Sequence, residues 1–305
     1  MRTLRTMIVI VFLTGGTAYA NPLQTCSNGH GSEAIEACTA LIESRRYTGI
    51  MLSEIYNNRG VVHSQLGDRE KAIEDYTTAT KLPVKNARPF RNMAIELVRL
   101  ERFDEALEKI AEAIKIEPSN VLNYGLRAEI FERANNLEEA IKSYTELINR
   151  EKTATNYHAR GVIYAKLSRF EEALADYSRA IQLYPRNPSY YFARGLAWAD
   201  AGKCDQAIPD YTKAIELSPK FSNAYNNRGV CHGRLGKRDE SIADYEAALK
   251  HEPSNLRAKH NLATARAASV VTPIAPQPLI PPQPPLPDFK EILKLPEMKI
   301  PQKLP

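Results

Sequence analysis

Apolar residues recur at spacings of three and four along most of the chain, which is the period of amphipathic helices. The pattern itself repeats. Six segments align on an aromatic residue, a small residue four positions later, and a second-helix Ala-x-x-x-Tyr-x-x-Ala pattern that three of them keep in full and the others approximate. Their starts, at residues 53, 87, 121, 154, 188 and 222, lie 33 or 34 residues apart. A fixed period of this length predicts a stack of helix–turn–helix units.

Three positions of the repeat explain how its two helices pack. The eighth residue is Gly or Ala, and the twentieth is Ala or, in the last copy, Ser. Two antiparallel helices approach closely only where neither carries a bulky side chain, so these residues mark the helix contact. The fourth residue is aromatic in every copy and fills the space beside it: Tyr56, Phe90, Tyr124, Tyr157, Tyr191 and Tyr225.

On these residues the chain resembles the tetratricopeptide repeat family. The resemblance implies an all-α fold, a right-handed superhelical solenoid of helix–turn–helix repeats. Each repeat has a face that it cannot bury alone, so the array needs a cap at both ends. We expect an N-terminal half-repeat cap over 21–52 and a C-terminal capping helix over 256–267, around six repeats at 53–86, 87–120, 121–153, 154–187, 188–221 and 222–255.

The first twenty residues have the pattern of a secretory signal. A basic start is followed by an apolar run and by Ala18-Tyr19-Ala20, which predicts cleavage between Ala20 and Asn21. The apolar run is shorter than the roughly 20 residues that span a bilayer, and no lipidation cysteine follows it. We therefore expect a periplasmic or secreted protein without an integral membrane segment in the mature chain. Its half repeat, Glu36-Ala37-Cys38-Thr39, resembles exported family members of Gram-negative bacteria, the alphaproteobacteria in particular.

Net charge argues against nucleic acid as a partner. The formal charge of the 305-residue chain is +5. It falls to +3 once Arg2 and Arg5 are removed with the signal, and it is dispersed. Composition leaves the oligomeric state open.

Four cysteines in an exported protein are expected to form disulfides. Cys26 and Cys38 flank a short turn, so a local disulfide is predicted, with a metal site that includes His30 as the weaker alternative. Cys204 opens the second helix of repeat five and Cys231 lies on the first helix of repeat six. A disulfide between them is predicted, and two separately buried small side chains are the alternative.

An arginine and an aspartate recur together in four repeats. Arg59, Arg160, Arg194 and Arg228 occupy the seventh position, and Asp75, Asp176, Asp210 and Asp244 the twenty-third. Their joint occurrence predicts a structural ion pair between the two helices of each repeat.

The sequence shows no catalytic constellation. His63, His158 and His232 stand at different repeat positions, and no glycine-rich phosphate loop is present. We therefore predict a protein that is not an enzyme and holds no cofactor or metal.

The family resemblance implies that first-helix positions two, five, six, nine, twelve and thirteen line an inner surface that holds an extended peptide of another protein. A chaperone-tail carboxylate clamp is excluded, because Leu122 and Leu126 replace its basic residues. We expect a scaffold or adaptor in envelope assembly or secretion. The alternative function is that of a glycan-binding accessory to a separate enzyme. For the inner-surface residues themselves, the alternative is that they are simply solvated. The predicted partner-binding residues are Asn57, Asn58, Arg88, Arg91, Asn92, Arg99, Asn223, Asn226, Asn227 and Arg234.

Beyond Ala268 the composition changes sharply, with eight prolines in the fifteen residues from Pro273 to Pro287. Such a run favours an extended, solvated backbone over a packed domain. Segment 268–305 is predicted to be a proline-rich disordered arm, which either carries a docking peptide, for a partner or for this protein's own groove, or is only a tail.

Overall fold

The computed structural model describes residues 21–267, and within them every regular element is a helix. The predicted signal segment up to Ala20 and the proline-rich arm at 268–305 lie outside the described residues. The described chain divides into two compact units, one ending at Pro89 and the other beginning at Phe90. The all-α fold class is confirmed.

The first unit contains a disulfide-bearing cap and one helical pair. Its helices are α1 (Pro22–Asn28), α2 (Gly31–Glu43), α3 (Gly49–Leu66) and α4 (Arg69–Lys81). Asn21, the predicted first residue after cleavage, caps α1, because its side chain accepts a hydrogen bond of 3.1 Å from the Leu23 amide. Ala34, Cys38 and Leu41 are buried on one face of α2, which packs against α3.

Helix α5 (Arg88–Arg99) crosses the boundary between the units, and ten further helices follow it in the described chain. From α6 onward each helix packs on the next, as expected for a linear array in which neighbours bury one another's apolar faces. These helices are α6 (Phe103–Ile116), α7 (Val121–Arg133), α8 (Leu137–Arg150), α9 (Ala154–Lys166), α10 (Phe170–Leu183), α11 (Pro188–Asp200), α12 (Cys204–Leu217), α13 (Ser222–Arg234), α14 (Arg238–His251) and α15 (Leu256–Ala267).

The turn inside each repeat needs a left-handed residue at position fifteen. Gly202 and Gly236 adopt φ of 78° and 75° there, and non-glycine residues are forced into the same region elsewhere, as Asn135 is at 59°. A common backbone turn therefore survives large differences in the residue that makes it.

The small eighth position is explained by its contact with a tyrosine of the second helix. A Cβ added to Gly195 would lie 2.9 Å from Cε1 of Tyr211, and one added to Gly229 would lie 2.8 Å from the same atom of Tyr245. Both tyrosines are buried. The sequence prediction that small residues mark the helix contact is confirmed.

The predicted arginine–aspartate pairs are also confirmed. Arg194 donates through Nε and Nη2 to the two carboxylate oxygens of Asp210 at 2.8 and 2.7 Å, and Arg59, Arg160 and Arg228 pair with their own aspartates in the same way. The aspartates are buried, so the pairs fix the spacing of the two helices in a repeat.

Candidate functional site

In the first unit the predicted partner-binding residues are engaged within the chain. Asn57 and Asn58 are fully buried on α3, and Nδ2 of Asn57 donates to Oδ1 of Asn58 at 3.5 Å. Arg88 donates to Glu54 at 2.9 Å. Arg88 is partly exposed, whereas the two asparagines lie inside the packed helices. Their contact with a partner remains a prediction.

In the second unit three predicted residues lie on α5. Asn92 is buried, Arg91 is half-buried, and Arg99 forms an ion pair of 2.5 Å with the buried Glu96. The positive charge of Arg99 is therefore partly compensated within its own helix.

The other four predicted residues lie on α13, and three of them are hydrogen-bonded to residues outside α13. Asn226 accepts from Asn261 of α15 at 3.0 Å and donates to the buried Asn227 at 3.1 Å. Asn223 accepts from Asn255 at 3.4 Å. Arg234 donates to the carbonyl of Ala199 in α11 at 3.1 Å. Asn223 and Asn226 thus tie α13 to the segment that leads into and forms α15, and Arg234 ties α13 to α11.

The structure singles out a residue that the sequence reasoning missed. Glu129 of α7 is 6% exposed, and neither carboxylate oxygen has a hydrogen-bond partner. It occupies position nine of repeat three, one of the positions predicted to line the inner surface. The five other repeats carry an aliphatic residue there: Val61, Ile95, Val162, Leu196 and Val230. That contrast within one sequence was the signal available for finding it.

Burial dominates the electrostatics of Glu129. It raises the pKa of the carboxyl from 4.5 to about 8, because the charged form loses its hydration. Arg133, one turn later, lowers the pKa and Glu132 raises it, but both effects are smaller than that of burial. Glu132 itself accepts hydrogen bonds from Tyr144 and Lys166. Glu129 is therefore a largely protonated acid near neutral pH that a nearby cation would ionise.

On the N-terminal side of Glu129, α7 carries small and apolar residues. Leu122, Gly125 and Glu129 lie at spacings of three and four, so they share one stripe of the helix. Leu122 is 45% exposed, and a Cβ on Gly125 would find only a methyl of Leu147, at 3.8 Å. This stripe combines open apolar surface with one buried acid.

The histidines form no shared site among residues 21–267. His158 is buried between the rings of Tyr177 and Tyr190, with centroids 5.4 and 5.1 Å away. Burial lowers its pKa to about 4, so it stays neutral at physiological pH. In the same part of the chain, no group of three or more His, Cys, Asp or Glu side chains is arranged to hold a metal ion.

The four cysteines differ in state. Cys26 and Cys38 are joined by a disulfide with Cα atoms 4.8 Å apart, which ties α1 to α2, and His30 instead contacts Gln65 at 3.2 Å. Cys204 and Cys231 are buried free thiols, so the predicted second disulfide is absent from this structure. Both side chains lie in one buried cluster.

No helix within residues 21–267 combines the length and the apolar character needed to cross a membrane.

The helical pairs, their small contact positions and their shared turn define a class of repeat scaffold. Models described as "TPR repeat" match residues 161–202 and 199–236, and models described as "Tetratricopeptide repeat" match 53–83, 91–156 and 222–255. Together these matches cover more than half of the chain. The chain belongs to the tetratricopeptide repeat family, as the sequence comparison of its six segments predicted.

Two curated proteins are similar over part of the chain. Small glutamine-rich tetratricopeptide repeat-containing protein 2 of Mycosarcoma maydis is 33% identical over 96 residues, which are 31% of this chain and 26% of that protein. The TPR repeat-containing protein MJ1428 of Methanocaldococcus jannaschii is 44% identical over 55 residues, 18% of this chain and 10% of that protein. The matched region spans about a quarter or less of these relatives.

Solved structures share the solenoid fold. The C-terminal part of a TPR repeat-containing protein from Cytophaga hutchinsonii superposes with a TM-score of 0.62 at 21% identity, over 75% of this chain and 93% of that one. YrrB, described as a TPR protein with an unusual peptide-binding site, gives 0.50 at 21% identity, over 63% and 95%. These similarities establish the fold.

Proposed function

We propose that this protein is an exported scaffold that binds an extended peptide segment of a partner protein on the first-helix faces of its repeats, and that it is not an enzyme. Envelope assembly or secretion is the process we assign to it. Family membership supports a binding role, because repeat solenoids expose long surfaces made of equivalent helices. The peptide-binding site named for YrrB belongs to that protein and supports a peptide as the class of ligand by analogy of fold.

The observation that carries the proposal is Glu129. A buried carboxyl group without a partner costs stability, and five equivalent positions show that an aliphatic residue packs there. A residue that is unfavourable for the fold and lies on the inner surface is best explained by a ligand.

The chemistry around Glu129 specifies the ligand further. The exposed Leu122 and the small Gly125 offer room for the aliphatic stem of a lysine or arginine, and Glu129 would pair with its charged head. We therefore assign to repeat three a peptide residue that is basic. The second-helix tyrosines Tyr76, Tyr177 and Tyr211 give no support to the glycan alternative, because they are buried and offer no face to a sugar.

Crosslinking in living cells of the source organism, followed by affinity purification and mass spectrometry, tests this proposal. The intact chain would be compared with Glu129→Gln, with a chain lacking 268–305, and with Arg88, Arg91 and Arg99 changed together to alanine. Glu139→Gln is the matched control, since Glu139 is an exposed glutamate of the same repeat, paired with Lys142.

A partner protein that is recovered with the intact chain and the control, but lost or strongly reduced with Glu129→Gln, is the expected result. Recovery that is unaffected by both Glu129→Gln and the arginine changes would contradict the inner-surface proposal. Recovery lost only with the truncated chain would place binding in the arm instead.

A further inference from the structure

Cys204 and Cys231 meet at one contact between consecutive repeats. Cys204 is the first residue of α12, and Cys231 lies in α13, which packs directly on α12. Both side chains belong to the same buried cluster, at the contact between these two helices. Two cysteines buried in one cluster on adjoining helices can form a disulfide when their Cα atoms come within about 7 Å.

The equivalent contacts in neighbouring repeats show that packing does not require thiols. Cys204 is position seventeen of repeat five, and Cys231 is position ten of repeat six. The same two positions hold Leu137 and Ile163 in repeats three and four, and Phe170 and Ala197 in repeats four and five. Each of these pairs packs in one apolar cluster. The contact between repeats five and six has two cysteines in place of such an apolar pair. Packing alone therefore does not explain why both residues are cysteines.

The two thiols are electrostatically unequal. The pKa of Cys204 is lowered, chiefly by its interaction with the Cys231 thiol and then by that with Arg234, while burial acts in the opposite direction. The pKa of Cys231 is raised by that same interaction between the thiols and by burial. The position of Cys204 at the start of α12 also favours a thiolate.

Access is unequal as well. Cys231 is completely buried, whereas Cys204 is 4% exposed and directly follows the exposed residues Gly202 and Lys203 of the turn. A reagent arriving at this turn therefore meets Cys204 first. Small molecules can reach a thiol of such low exposure more readily than a folded protein can.

We propose that Cys204 and Cys231 form a thiol–disulfide exchange site, with Cys204 as the attacking thiol, Cys231 as the resolving thiol, and a low-molecular-weight disulfide as the oxidant. The Cys204 thiolate attacks one sulfur of R–S–S–R, which gives a mixed disulfide and releases one thiolate. Cys231 then loses its proton and attacks Sγ of Cys204, which releases the second thiolate. Two electrons pass to the oxidant, and the products are a protein disulfide and two R–SH.

Closure of this bond would join α12 to α13 and so lock repeat five to repeat six. The reduced protein keeps only non-covalent packing at this contact. The site thus gives the array a chemical control over the rigidity of its last full repeats, independently of whether the inner surface binds a peptide.

The test uses the full chain in glutathione buffers of graded oxidised-to-reduced ratio, quenched with acid and digested with trypsin. Oxidation is expected to link the peptides 204–213 and 229–234, with the loss of two hydrogen atoms, and reduced glutathione should reverse it. In Cys231→Ser, glutathione should accumulate as a mixed disulfide on Cys204. In Cys204→Ser, Cys231 should stay unmodified while the protein is folded.

The double variant Cys204→Phe with Cys231→Ala is the matched control, because it installs the residues of the preceding contact, Phe170 and Ala197. Its stability to unfolding should match that of the reduced wild type and should not change with the ratio of oxidised to reduced glutathione. A native protein that forms no link at any ratio would overturn the proposal, and so would Cys231 in Cys204→Ser reacting as fast as Cys204 in Cys231→Ser.

The pH dependence of alkylation by iodoacetamide identifies the attacking thiol. The rate at Cys204 should rise with a midpoint clearly below that of an ordinary thiol. A midpoint at the ordinary thiol value of about 8.5 would contradict the assignment. Other charged groups also act on the two thiols. Arg234 favours the thiolate, whereas Asp205 raises the pKa of Cys204 and Asp200 raises that of Cys231. The neighbouring Tyr211 and Tyr245 stay neutral, because burial raises their pKa values.

Discussion

Replacing Glu129 by valine should stabilise the protein, most strongly at slightly alkaline pH. The substitution installs the residue found at the same position of three other repeats, Val61, Val162 and Val230, and removes a buried carboxyl group that has no partner. Because the equivalent positions accept valine in the same packing, no steric obstacle is expected.

The magnitude follows from proton linkage. The pKa of Glu129 is raised by burial from 4.5 to about 8, so the folded state binds this proton more tightly than the unfolded state does. The stability associated with the group is therefore fully present below about pH 4.5, decreases as the pH rises, and is lost above about pH 8. The full difference corresponds to about 5 kcal/mol, and about 3 kcal/mol of it is lost by pH 7.

Urea unfolding followed by circular dichroism, at steps from about pH 5 to about pH 8.5, measures this effect. The valine variant should gain stability over the wild type by an amount that grows with pH. Glu129→Gln should lose the pH dependence without the gain from apolar burial, and Glu139→Gln should stay within about 0.5 kcal/mol of the wild type at every pH. A valine variant that is no more stable at about pH 8, or a difference that does not change with pH, would refute the reasoning.

Three further perturbations test the packing. Gly195→Ala should lower the free energy of unfolding by about 1–3 kcal/mol, because the added methyl group would collide with Tyr211. Gly125→Ala should raise it by about 0.5–1 kcal/mol, because the space beside Gly125 is open. Equal effects of the two changes on thermal unfolding would contradict the contact geometry. Asp210→Asn should cost about 1–3 kcal/mol by breaking a buried bidentate pair, while Glu216→Gln in the exposed pair with Lys213 should change stability by less than about 0.5 kcal/mol. His158→Phe should remove an acid sensitivity of the wild type. Burial lowers the pKa of His158 from 6.5 to about 4, so the stability of the wild-type protein should decrease as the pH is lowered through that range. The variant should lack this decrease, and a variant with the same pH profile as the wild type would disprove the reasoning.

The sequence predicted the parts of the fold that recur. The fixed period and the small eighth position, as at Gly195 against Tyr211, determine the helical pairs. The paired occurrence of Arg194 and Asp210 in one repeat and their counterparts in others was enough to predict a contact across helices. Repetition supplies several independent copies of each constraint, so chance agreement is averaged out.

The sequence predicted less of the candidate site, because a site departs from the repeat. Asn57 and Asn227 occupy positions predicted to line the inner surface, yet both are fully buried, and burial depends on neighbouring helices that periodicity does not describe. Glu129 was overlooked because a single acid on a helix is normally solvated, and only its burial reveals the missing partner. The unequal pKa values of Cys204 and Cys231 likewise arise from a contact between two helices.

The most direct test of the central proposal is photo-crosslinking with a benzoylphenylalanine placed at single positions of the chain in living cells. Leu122 is exposed on the first helix of repeat three, and Lys142 is exposed on the second helix of the same repeat. A partner captured from position 122 and not from position 142 is the result expected if the inner surface holds a peptide. Capture from position 142 alone, or equal capture from both positions, would contradict it.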